Sequence, residues 1–99
     1  MANEIEFLPE ARLEFDDAVR SYASRDRAVS LAFIAEVDYA IERILQNPRQ
    51  FPATHAGCRK CLLKRYPYAA IFYQSDESLV VVAIAHLKRR PKYWSERLG

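Results

Sequence analysis

Leu79-Val80-Val81-Val82-Ala83-Ile84-Ala85, closed by His86, is the stretch that decides the fold. It is apolar without interruption, so the strand it forms is buried on both faces and lies centrally in a sheet. At seven residues it falls far short of the ~18 needed to span a membrane. Ser75-Asp76-Glu77-Ser78 before it reads as a turn, and residues 68–74 before that as a second strand. Tyr66-Pro67 makes another turn, which leaves 58–65 as a third strand-like run. Three strands in such close order, 58–65, 68–74 and 79–86, predict an antiparallel meander.

Upstream of the meander the character changes. Residues 48–57 carry Pro48, Pro52 and Gly57 and read as a loop. From Arg27 to Gln46 the apolar positions Leu31, Ile34, Ala35, Val37, Ile41, Ile44 and Leu45 predict a helix, N-capped by Asp26 and stopped at Asn47-Pro48. Ala11, Phe15, Ala18 and Tyr22 recur at helical spacing, with Glu14, Asp16, Asp17 and Arg20 mainly off that stripe, so residues 10–24 form an amphipathic helix. Glu4-Ile5-Glu6-Phe7-Leu8 alternates as a strand does and is ended by Pro9. The fold class is therefore α+β, an N-terminal strand, an antiparallel α-hairpin and the meander, with Pro91–Leu98 as a short terminal helix or tail. Ninety-nine residues fit one domain, 1–99.

Composition narrows the function classes. Residues 1–50 carry six Lys/Arg against ten Asp/Glu, a net −4, whereas residues 51–99 carry nine against three, a net +6. That polarity points to an anionic partner for the second half, although lysines and arginines also serve the solubility of sheet edges. Met1-Ala2-Asn3-Glu4 lacks the basic flank and apolar run of a signal peptide, and the expectation is a cytoplasmic protein with no membrane role. Cys58 and Cys61 fall on opposite faces of a strand, roughly 10 Å apart, beyond the ~7 Å reach of a disulfide. With no second cysteine pair and only His55 nearby, two reduced, partly buried thiols are expected, with neither metal nor cofactor.

The same elements resemble a known family. Ala40-Ile41 and Ile44 lead into Asn47-Pro48, then Phe51-Pro52, Arg59, and Tyr66-Pro67-Tyr68 with Ile71 and Tyr73. Last comes Ala85-His86-x-x-Arg89-x-Pro91-x-Tyr93-Trp94-x-x-Arg97. In order and spacing this resembles the RelE/ParE toxins over nearly the whole chain, and its closing segment is similar to the ParE-like branch. The resemblance implies the toxin of a type II toxin–antitoxin system, a growth inhibitor neutralised by a cognate antitoxin in a hetero-oligomer. ParE-like members, tied to plasmid stabilisation, typically poison DNA gyrase by binding. RelE-like members instead cut messenger RNA in the ribosome, and a third implied role is a non-toxic relative acting only in an antitoxin and operator complex.

Candidate site residues come from the charge map and the motif together. Arg59 and Arg65 are expected on one face of the 58–65 strand, with Lys60 and Lys64 on the other. Lys88, Arg89, Arg90 and Lys92 come directly after the central strand as a second basic cluster. The expected target-binding set is Arg59, Arg65, His86, Lys88, Arg89, Arg90, Tyr93 and Arg97. For a nuclease, Arg59, Arg65 and Arg89 would supply charge while His86 or Tyr93 moved protons. Against that, a lone histidine ending a buried strand is more often a packed, hydrogen-bonded residue. Trp94 is expected to anchor the tail on the sheet, leaving Tyr93 exposed for stacking or hydrogen bonding. Tyr66, Tyr68, Phe72 and Tyr73 interleave with cations as single-strand nucleic-acid platforms do, but in so small a sheet cross-strand packing is the plainer reading.

Overall fold

The computed structural model describes residues 4–99, so the reading of Met1-Ala2-Asn3 lies outside it. Strand β1 (Glu4–Phe7) runs into α1 (Pro9–Ala23), where proline occupies the first turn. Helix α2 (Arg27–Gln46) begins at Asp26, whose carboxylate accepts from the Ala28 N–H at 2.8 Å. A 3-10 turn at Pro48–Gln50 and another at His55–Gly57 lead to β2 (Arg59–Leu62), β3 (Tyr68–Gln74) and β4 (Ser78–His86). A 3-10 helix, Tyr93–Leu98, closes the chain. No helix among the described residues is long and apolar enough to cross a membrane.

The sheet order is β1-β4-β3-β2, with β2, β3 and β4 antiparallel and β1 parallel to β4. The apolar run thus lies centrally, as expected, with β4 buried along its length until His86. On one face the α-hairpin packs Phe33, Val37, Ala40 and Ile44 of α2 against Phe72, Val81 and Ile84. The buried stripe of α2 is therefore Phe33-Val37-Ala40-Ile44, not one containing Leu31 and Ala35, since Leu31 is 54% exposed. Apolar residues flank α2 on more than one side, so periodicity alone did not single out the buried face.

Strand β2 stops at Leu62, three residues short of the expected 65. The Glu36 carboxylate on α2 takes the Lys64 and Arg65 N–H groups at 2.7 and 3.1 Å, which ends the ladder in favour of a helix-bound turn. Arg59 and Arg65 therefore do not share a strand face. The two thiols are free and buried on opposite sides of the sheet, Cys61 toward the helices and Cys58 away from them. Burial raises the pKa of both.

Candidate functional site

The pairing of β1 with β4 ends early, and the site is built along the stretch of β4 left uncovered. Leu8 donates its N–H to Val81, and then Pro9, which has no N–H, turns the chain into α1. From Val82 onward that edge of β4 has no strand beside it, and buried backbone groups left without partners are costly. Two side chains take the place of a strand. The Ile84 N–H donates to Glu14 Oε1 at 3.1 Å, and Arg97 Nη1 donates to the Val82 carbonyl at 3.0 Å.

Glu14 is the hub of this end of the molecule. Its carboxylate also accepts from Arg97 Nη1 and Nη2 at 2.8 and 2.9 Å, from Arg89 Nη1 at 3.2 Å, and from the Tyr93 hydroxyl. Glu14 and Arg97 side chains are each 14% exposed, so this is a shielded, forked ion pair rather than a surface contact. Arg89 lies over the Tyr93 ring at 3.7 Å with its own side chain 53% exposed. Burial first, and then the bond to Glu14, raise the Tyr93 pKa well above its ordinary value. The bond to Glu14 is also the main cause of a raised Arg97 pKa.

Trp94 fastens the other side of the tail. It is 4% exposed and packs with Cys58, Ala69, Ile71 and Val82 on the face of the sheet away from the helices. Lys92, at φ 62, supplies the left-handed residue that turns the chain back so that Trp94 reaches the sheet. The anchoring role expected of Trp94 is what the structure has, while Tyr93 is half-buried and hydrogen-bonded rather than free to stack.

Six of the expected site residues thus divide among three places. His86, Arg89, Arg90 and Tyr93 line one cavity at the tail end of β4. On the helix side of the sheet His86 meets Tyr68 edge-on at 5.0 Å, and it accepts the Lys88 N–H on Nδ1 at 3.1 Å. Arg59 lies four β3 positions away, opposite Phe72 where His86 is opposite Tyr68, and donates to the Phe51 carbonyl at 2.8 Å. Arg65 is exposed beside α2, 3.6 Å from Glu36. The five residues of the nuclease set are not brought together. The interleaved aromatics are packing, since Tyr66 and Tyr68 meet Phe33 and Tyr22 edge-on at 5.1–6.4 Å.

The cations themselves divide in two. Arg89 and Arg97 are engaged by Glu14, whereas Lys88, Arg90 and Lys92 are exposed and form no ion pair among the described residues. Glu14 had been expected on the solvent side of α1. It lies three residues after buried Ala11 and four before buried Ala18, and a carboxylate inside a buried stripe was the available signal.

Comparison with known proteins bears on the family and the fold. No curated protein sequence matches the chain. Among solved structures it is similar to a chain of the chromosomal ParDE TA system from P. aeruginosa, at TM-score 0.75 and 17% identity, covering 86% of this chain and 96% of that one. At that identity the likeness speaks to the fold. A family profile described as the ParE toxin of the type II toxin–antitoxin system, parDE, matches residues 5–91. Because that match takes in the strand, the hairpin, the meander and the start of the tail, the chain belongs to the ParE toxin family.

Proposed function

We propose that this toxin arrests growth by binding DNA gyrase through its C-terminal segment, with Lys88, Arg90 and Lys92 as the contact charges and without chemistry of its own. The observation that carries the reading is the division of the cations. Glu14 engages Arg89 and Arg97 to hold the tail in place, and the three neighbouring cations remain uncompensated in solvent. Uncompensated charge on a fixed scaffold steers and orients an anionic partner. The nuclease alternative is weakened by the same geometry, since Glu14 occupies the Tyr93 hydroxyl and Arg59 and Arg65 lie apart from His86.

The cognate antitoxin, as partner, covers the α-hairpin and part of the sheet. Leu31 and Tyr39 stand 54% and 53% exposed on the outer side of α2, beside Ala32 and Ala35, with Lys64 and Arg65 at the rim. Exposed apolar side chains of this size on a helix fit the apolar face of a partner segment with acidic flanks. The test is induction in a bacterium. Stalled gyrase–DNA complexes with a DNA-damage response are expected, and rapid loss of intact transcripts instead would replace this reading with the ribonuclease one.

A further inference from the structure

The face of the sheet away from the helices is only partly covered. In the ladder Leu62–Ala69–Ala85 two of three side chains are methyl groups. Trp94 covers one side of them and leaves a cavity of about 230 Å³. That is below the ~300 Å³ of a typical small-molecule pocket, so it suits one anchoring side chain better than a cofactor. Lys60, opposite Ile71 in the register and therefore on the same face, stands at the rim with Arg90 and Lys92. None of the three forms an ion pair among the described residues. Leu62 and Leu87 flank the hollow, 54% and 53% exposed.

We infer that this hollow seats an extended, acidic segment of the target protein, with one aliphatic side chain over Ala69 and Ala85 and flanking carboxylates on Lys60, Arg90 and Lys92. The inference rests on the tail being the target-binding surface and adds what kind of chain the surface takes. Three observations favour a peptide over a nucleic-acid strand. Unpaired bases bind by stacking on open aromatic faces, but Trp94 is buried and Tyr93 is covered by Arg89. Of the two arginines that line the hollow, Arg89 is engaged by Glu14, which leaves Arg90 as the one free fork for a phosphate. Exposed leucines at the rim match an aliphatic chain. Strand β2 is also an edge of the sheet, occupied at its start, where the Lys60 N–H donates to Pro52, and adjoining the hollow at Leu62. Such an edge accepts an extended segment.

The test titrates the full chain, by amide NMR, with the capped peptide Asp-Glu-Leu-Asp-Glu and, separately, with a single-stranded dinucleotide. The peptide should move the resonances of Leu62, Ala69, Ala85 and Leu87. Ala85→Leu, which fills the hollow, and Lys60→Glu with Lys92→Glu should each weaken binding at least fivefold, the charge variant serving if the first fails to fold. Tighter binding of the dinucleotide, or peptide shifts confined to α2, overturns the inference. In cells Ala85→Leu should abolish growth arrest yet still co-purify with the antitoxin. Loss of the antitoxin with arrest retained would make the hollow the antitoxin's and overturn it as well. If peptide binding and relief of arrest both hold while no gyrase–DNA complex forms, the gyrase reading fails and this inference stands.

Discussion

The two faces of the sheet are covered in different ways. On the helix side two long helices bring Phe33, Phe15, Tyr22 and Ile44 onto Phe72, Val81 and Ile84, with aromatic rings meeting at 5.1–6.4 Å. On the other side the largest buried ring is Trp94, over Cys58, Ile71, Val82 and three alanines, and the tail that carries it is held by one carboxylate. Thick packing on one face makes the fold, and thin cover on the other leaves a charged, partly hollow surface free to meet a partner. On the proposed reading, stability and target binding fall on opposite sides of the same strand, β4.

The contrast gives an ordered set of expectations. Phe33→Ala should be the most damaging change, at about 4 kcal/mol in urea unfolding, because it empties the centre of the aromatic cluster. A smaller loss there than on the tail side would invert the comparison. Trp94→Ala should cost about 3 kcal/mol, and an unchanged melting temperature would show that the thin cover contributes nothing to the fold. Glu14→Gln should cost about 2 kcal/mol, since it leaves the shielded Arg97 without its counter-charge while keeping the amide acceptor for Ile84.

A pH series separates the faces further. The Tyr93 pKa is raised in the folded state, so its contribution is fully present below the unfolded value of about 10 and is lost as pH rises through the folded value. Tyr22 and Tyr68 on the helix side, and the two cysteines, are also raised. Stability should therefore decline from about pH 9 upward, and Tyr93→Phe should remove the part of that decline due to the tail. If the decline is the same in Tyr93→Phe, the phenol is not the group that Glu14 holds protonated.

Much of the fold was legible because its signals are local. The Leu79–Ala85 run, the Asp26 cap and the prolines at 9 and 48 each mark an element from within its own neighbourhood. What was not legible depends on partners distant in sequence. Glu36 shortens β2 from 28 residues away, and Glu14 is drawn into the tail by Arg97, 83 residues on. The site was half legible for the same reason. The cluster around His86 and Tyr93 is contiguous in sequence, whereas which cations are engaged and which are free depends on a single carboxylate on α1.

The smallest structural effect should accompany a large functional one. Lys88→Ala, Arg90→Ala and Lys92→Ala in one chain remove exposed side chains, and should leave the melting temperature within a few degrees. Growth of cells induced for that triple variant is the most direct measurement of the account. Growth at the uninduced rate, with the protein folded and still bound by its antitoxin, is the predicted result. Arrest as complete as with the unaltered toxin would contradict it, and the cations left free by Glu14 would then not be the working surface.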